Sequence, residues 1–144
     1  MPELVIRAAG ADDLDAVAAL FEQENGRAPQ RGFIARCLEH YPCAVALQDG
    51  HLQGFIYCQR FAPDILEIAN LLVAEACRGM GVGSRLLAEV ERQANTEWAS
   101  LILVHSLLYP HPPRRSPADF YGKQGFTAIH RTSASTVYAK PLPS

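Results

Sequence analysis

One stretch decides the fold of this chain: Ala76-Cys77-Arg78-Gly79-Met80-Gly81-Val82-Gly83-Ser84-Arg85-Leu86-Leu87. It places three glycines at alternate positions between an apolar run, Ile65–Val73, and a helical pattern. This order predicts a strand, a tight turn and a helix N-terminus. Glycines let the backbone come close to a ligand, and the first amides of a helix have no partners within it. Because such amides and the helix dipole favour phosphate, the stretch predicts a site for a phosphorylated cofactor.

Two familiar glycine loops fit this stretch poorly. A Walker loop needs Lys after its last glycine, whereas Ser84 follows Gly83. A Rossmann turn has the spacing Gly-x-Gly-x-x-Gly near the start of its domain, whereas this loop lies at mid-chain with Gly-x-Gly-x-Gly. A regulator that binds a dinucleotide is therefore the weakest of the functional interpretations.

The amino-acid composition limits the classes of protein to which this chain can belong. The 144 residues are 49% hydrophobic and 19% charged, with a formal net charge of −2, so we expect one globular domain spanning residues 1–144. The charge predicts no nucleic-acid partner, and the apolar runs are too short for a membrane span. Because the first residues do not resemble a secretion signal, we expect a cytoplasmic protein. The sequence leaves a homodimer open.

The four cysteines predict free thiols rather than a metal site. The spacing Cys37-x-x-His40-x-x-Cys43 resembles that of metal ligands, but Pro42 interrupts the helix and no fourth ligand lies nearby. We therefore expect no metal cofactor.

Hydrophobic periodicity predicts the order β-α-α-β-β-β-α-β-α-β-β, which is an α/β (α+β) pattern with a mixed sheet of about seven strands and about four helices. The predicted strands are 4–8, 43–47, 51–59, 65–73, 99–104, 126–130 and 135–139. Helices are predicted at about 11–23, at 30–40, after the glycines and at 118–124. Asp49-Gly50 between two apolar runs predicts a hairpin turn.

Two motifs resemble those of one family. Arg78-Gly79-Met80-Gly81-Val82-Gly83 is similar to the Arg/Gln-x-x-Gly-x-Gly/Ala pattern of the GNAT superfamily of N-acetyltransferases. Phe120-Tyr121-Gly122-Lys123-Gln124-Gly125-Phe126 resembles the late Phe-Tyr-x-x-x-Gly-Phe segment of that family. The predicted order of strands and helices resembles the GNAT fold over essentially the whole chain. The resemblance implies acetyl-CoA as cosubstrate and an amine as acceptor.

The resemblance also implies how the cosubstrate binds. The loop would hold its pyrophosphate, and the strand before the loop would bind its pantetheine arm. An amide at Leu72 or Val73 would then donate to the developing oxyanion. The predicted cofactor-binding residues are Leu71, Leu72, Val73, Arg78, Gly79, Met80, Gly81, Val82, Gly83 and Ser84.

Two residues are candidates for catalysis. Tyr121 matches the tyrosine that the family often uses to protonate the departing thiolate. Glu67 is a lone carboxylate in an otherwise apolar stretch, where a raised pKa would make it a general base. His105, whose ordinary pKa suits the task at neutral pH, is the rival base.

The chain departs from the family after the fifth predicted strand. Many members carry Asn there, whereas this chain has His105-Ser106-Leu107-Leu108, so Ser106 is the candidate substitute. Arg114 and Arg115 follow in a loop rich in proline, where we hypothesise contact with phosphate or an acidic acceptor. The mixed charges of the first two helices do not identify the acceptor. An acyl-CoA-binding sensor or scaffold without catalysis is the alternative function.

Overall fold

The computed structural model describes residues 3–97, 99–107 and 117–143. The strands are β1 (Leu4–Ala8), β2 (Cys43–Gln48), β3 (His51–Ala62), β4 (Ile65–Val73), β5 (Leu101–Leu107), β6 (Thr127–Arg131) and β7 (Ser135–Pro141). The helices are α1 (Leu14–Asn25), α2 (Arg31–His40), α3 (Val82–Glu97) and α4 (Pro117–Lys123). Short 3₁₀ turns lie at Ala11–Asp13 and Glu75–Cys77. The strands form one mixed sheet in the order β1-β2-β3-β4-β5-β7-β6, which confirms the predicted fold class.

The largest difference from the predicted boundaries lies in β5. The apolar pattern ends at Val104, but the strand continues to Leu107 because His105 and Ser106 pair with Val137 and Thr136 of β7. This pairing joins residues far apart in the sequence, so the local pattern of apolar residues could not reveal it.

The predicted hairpin turn between β2 and β3 is confirmed. Asp49 and Gly50 both have positive φ, 54° and 76°, as a two-residue turn between antiparallel strands requires. The turn places Gln48 opposite His51 and Leu47 opposite Leu52. A bulge at Gln53 then shifts the register by one residue, so that Ala44 lies opposite Ile56.

The two faces of the sheet have separate cores. We call the face that packs on α3 the α3 face; its buried residues include Leu66, Ile68, Leu86, Leu87 and Ile102. The other, the α1/α2 face, is covered by both of those helices and includes Val17, Phe21, Ile34, Phe55 and Tyr57. Because side chains alternate along a strand, each residue of β3 and β4 can be assigned to a face.

The sheet opens between β4 and β5. These parallel strands pair only from Ile65–Ile68 with 101–104. Beyond that point β4 follows β3 as far as Val73, and β5 follows β7 as far as Leu107. A bulge marks the start of the separation: Ile68 and Asn70 are opposite adjacent residues of β3, so Ala69 is extra. Since bulges bend the strand that contains them, this one explains why β4 leaves β5.

Candidate functional site

The glycine loop presents free amides at the mouth of this opening. Gly79 and Gly81 have φ of 82° and 78°, a backbone conformation that side chains rarely adopt. Within the described part of the chain, no amide of residues 79–84 donates a hydrogen bond to the protein. The helical ladder begins where the Arg85 amide donates to the Gly81 carbonyl at 3.2 Å. Six successive amides are therefore available to an anion.

A cleft of about 500 Å³ lies between the glycine loop and α4. Phe120, Lys123 and Gln124 form its second wall. The Gln124 side chain donates to the hydroxyl of Ser84 at 2.8 Å, which ties the two walls together. Lys123 places an exposed cation on the cleft, and sequence reasoning missed it because it occupies a variable position of the late motif.

Gly83 is required by close packing. A Cβ at this position would lie 3.1 Å from Cε1 of Phe120, closer than side chains normally approach each other. The absence of a side chain at residue 83 therefore lets α4 rest against the first turn of α3. This contact joins the loop to the helix that carries Tyr121.

The Arg78 side chain is bound to protein groups at the edge of the cleft. Its Nε donates to the Val73 carbonyl at 3.0 Å, and its Nη2 lies 2.7 Å from the Glu24 carboxylate. The guanidinium thus fastens the C-terminal end of α1 to the end of β4.

The backbone of β4 alternates in direction. The Ala74 amide donates to the Gln53 carbonyl of β3 at 2.8 Å. In an antiparallel pair, every second residue turns its amide and carbonyl to the partner strand. Leu72 therefore faces β3 as Ala74 does, whereas Leu71 and Val73 point into the opening. Of the two amides expected to stabilise the oxyanion, only that of Val73 points there.

Tyr121 is buried in the core of the α3 face. Its ring packs on Phe126 and Tyr138, with centroids 5.4 and 5.5 Å away. Burial raises the pKa of Tyr121 far above its ordinary value, and proximity to Cys58 of β3 adds to the rise. The phenol therefore keeps its proton across the whole neutral range, as a proton donor must.

Glu67 and His105 lie on the opposite face from Tyr121. Glu67 alternates with Leu66 and Ile68 of the α3 face, and its carboxylate accepts a hydrogen bond of 2.6 Å from Gln59. Its surroundings are thus more polar than the apolar stretch around it suggests. His105 is exposed at the first position of β5 beyond its pairing with β4.

The structure brings the glycine loop and the end of β4 together at one cleft and packs Tyr121 into the core of the α3 face. Ser106 alternates with His105 and so shares the face of Tyr121. Arg114 and Arg115 lie outside the described residues. The described ranges contain no group of three or more His, Cys, Asp and Glu side chains able to hold a metal.

A sheet opened between two parallel strands, with free helix-terminal amides at its mouth, provides a site for a phosphorylated cofactor. Residues 39–128 match the family model described as acetyltransferase (GNAT) domain. The aminoalkylphosphonate N-acetyltransferase of Salmonella typhimurium is 32% identical over 143 residues, which cover 90% of this chain and 89% of that protein.

Solved structures share the fold at low identity. An aminoglycoside 6'-N-acetyltransferase complexed with coenzyme A superposes with a TM-score of 0.84 at 15% identity, covering 97% of this chain and 98% of the other. Ard1 from Thermoplasma volcanium gives 0.80 at 17% identity, covering 98% and 99% of the two chains.

The chain therefore belongs to the GNAT family of N-acetyltransferases. At the level of the family it is an enzyme that uses acetyl-CoA to acetylate an amine, as the sequence predicted. In the part of the chain that the structure describes, no helix is both long and apolar enough to cross a bilayer.

Proposed function

We propose that this enzyme transfers the acetyl group of acetyl-CoA to the primary amine of a small aminoalkylphosphonate or a similar anionic amine. The acceptor class is suggested by the relative from Salmonella typhimurium, which carries that activity in its name and aligns along 90% of this chain. The donor site is supported most strongly by one observation, the six free amides of residues 79–84 beside the opening of the sheet.

The glycine loop would bind the pyrophosphate of acetyl-CoA through these amides. Gly79, Met80, Gly81, Val82, Gly83 and Ser84 each offer an N–H group, and positive φ at two of the glycines turns the backbone towards the cleft. Lys123 adds a charge from the facing wall. Phosphate binding by backbone amides needs no side chain at the loop, which explains why Arg78 can remain bound to Glu24.

The open half of β4 would hold the pantetheine arm. The amide and carbonyl of Leu71 and the amide of Val73 point away from β3 and are free to bind it, whereas the Val73 carbonyl accepts from Arg78. Leu72 would contribute its side chain, since its backbone faces β3. The Val73 amide would also stabilise the oxygen of the acetyl carbonyl as negative charge develops on it.

Acetyl-CoA supplies a thioester, in which sulfur is a good leaving group. The amine nitrogen bonds to the acetyl carbon as the carbon–sulfur bond breaks. We assign Tyr121 as the donor of a proton to the departing sulfur from its phenolic oxygen. Glu67 accepts the proton that the amine loses, directly or through water, and His105 on the same face is the alternative acceptor.

A panel of amines tests this proposal. The enzyme is mixed with acetyl-CoA and 2-aminoethylphosphonate, kanamycin, glutamate or an alanyl peptide, and released thiol is measured. We expect the highest kcat/KM for the phosphonate; a preference for any other amine would contradict the assigned acceptor.

A thermal-shift measurement tests the donor site separately. Coenzyme A at a hundredfold excess over its Kd should stabilise the fold by about 2.7 kcal/mol. NAD serves as the control and should leave the Tm unchanged. A rise with NAD and none with coenzyme A would contradict the assigned site.

A further inference from the structure

Arg27 lies on the α1/α2 face, and none of the carboxylates that the structure describes is its partner. Arg31 of α2 pairs with Asp15, and Arg78 pairs with Glu24. Among the described residues, Arg27 makes no ion pair; its guanidinium instead lies 5.4 Å above the ring of Phe21. Stacking on a buried ring holds the charge in place while leaving its N–H groups for a ligand.

Two contacts place Arg27 near the open half of β4. Arg78 links Glu24, at the C-terminal end of α1, to the carbonyl of Val73. Gly26 then ends α1 with φ of 71°, and Arg27 is the next residue. The loop that holds Arg27 therefore begins where β4 ends.

Tyr57 and Asn70 also lie on the α1/α2 face. Asn70 is the first residue after the bulge, and its side-chain nitrogen lies 3.3 Å from the Tyr57 hydroxyl. With Asn70 as donor, the Tyr57 hydroxyl keeps its own hydrogen for a further acceptor. Burial raises the pKa of Tyr57, while the Asn70 hydrogen bond and the charge of Arg27 act to lower it. Phe21, whose ring lies beneath the Arg27 guanidinium, belongs to the same buried cluster as Tyr57, so the two groups lie on one face of the sheet.

We propose that Arg27 and the Tyr57 hydroxyl form a binding site for the anionic group of the acceptor, with Asn70 placing the phenol and its own amide oxygen facing the amine. A planar guanidinium binds pairs of phosphate or carboxylate oxygens, and the acceptor class of the proposed function selects a phosphonate or phosphate. Small acceptors would then be held by their anionic end at the α1–α2 loop and present the amine to the opening. This inference rests on the proposed function for the reaction and adds the residues that select the substrate.

The test compares Arg27→Gln with Arg31→Gln, a control arginine that is already paired with Asp15. The substrates are 2-aminoethylphosphonate and propylamine, which has a similar length and no anionic group. We expect Arg27→Gln to raise KM for the phosphonate about tenfold or more and to change KM for propylamine and both kcat values less than twofold. Arg31→Gln should change neither KM. An equal change for both substrates in Arg27→Gln would overturn the site.

Binding of ethylphosphonate separates this inference from the proposed reaction. This compound has the anion and lacks the amine, so its affinity, measured by calorimetry on the enzyme bound to coenzyme A, needs no turnover. We expect binding to wild type and at least tenfold weaker binding to Arg27→Gln, with a smaller loss in Tyr57→Phe. That result would support the anion site even if no amine were acetylated, which would defeat only the proposed reaction. Absence of binding to wild type, or equal affinity of wild type and Arg27→Gln, would overturn the anion site.

Discussion

The paired and open halves of β4 have opposite tasks within one strand. Residues Ile65–Ile68 have a strand on each side, and Leu66 and Ile68 are almost inaccessible to solvent. From Ala69 onward the strand keeps only β3, and each of its side chains is partly exposed. The comparison teaches that the fold is stabilised by one half of the strand, whereas the other half leaves hydrogen-bonding groups for ligands.

Truncating a buried side chain in the paired half of β4 should have the largest effect, a loss of folding stability. Leu66→Ala removes a fully buried side chain from the α3 face, and we expect the free energy of unfolding to fall by about 2–5 kcal/mol. The partly exposed Leu71 of the open half is the matched control, and Leu71→Ala should cost less than half as much. Urea unfolding of both variants measures this difference. Equal losses would mean that the open half contributes to the core as much as the paired half.

Removing one amide from the open half should impair catalysis while the protein remains folded. Val73→Pro deletes an N–H that points away from β3, and we expect kcat to fall by about 10²–10³. Val73→Ala keeps the amide and should retain kcat within a few-fold. Leu72→Pro deletes an N–H that faces β3 and should instead lower the Tm. Wild-type kcat in Val73→Pro would exclude this amide from the reaction.

The hydroxyl of Tyr121, the proposed proton donor, should contribute to kcat about as much as one general acid does. Tyr121→Phe keeps the packed ring and removes the hydroxyl, so we expect kcat to fall about 10²-fold with little change in Tm. Tyr138→Phe alters a neighbouring ring, 5.5 Å away, and serves as control with kcat retained. If both variants kept full activity, the proton would have to come from elsewhere.

A methyl group in the glycine loop should produce the smallest effect. Gly83→Ala brings a Cβ to 3.1 Å from Phe120, and this overpacking should raise KM for acetyl-CoA about tenfold. Gly122→Ala is the matched control, because no atom of the described residues lies within 4 Å of the added Cβ. Phe120→Leu combined with Gly83→Ala should restore much of the affinity. An unchanged KM in Gly83→Ala would mean that the loop tolerates displacement by α4.

Local patterns predicted the fold well because each relevant signal lies within a few residues. Alternate glycines predicted the turn before α3, and Asp49-Gly50 predicted the hairpin, because both depend on backbone conformations that few residues adopt. The seven strands and their mixed arrangement followed from apolar runs and their order.

The rest of the site depends on partners that are distant in sequence. Nothing near Arg78 indicates that its guanidinium binds Glu24, 54 residues away. The pairing of β4 with β3 decides which amide, that of Leu72 or that of Val73, points into the opening. The sequence of β4 alone does not show this pairing. Gln59 reaches Glu67 only after the sheet has formed. The catalytic and binding roles of these residues stay predictions until variants are measured.

The bulge at Ala69 offers one route by which an enzyme of this kind can lose its activity. Ala69 is an extra residue in the strand, and it does not change the face on which the following side chains lie. Deletion of Ala69 would therefore leave Asn70, Leu71 and Val73 on their present faces of the sheet. Without the bulge, β4 would be straight and would pair with β5 by hydrogen bonds along its whole length. All the residues proposed to act in the reaction would still be present, but the opening in the sheet would be closed and the enzyme inactive.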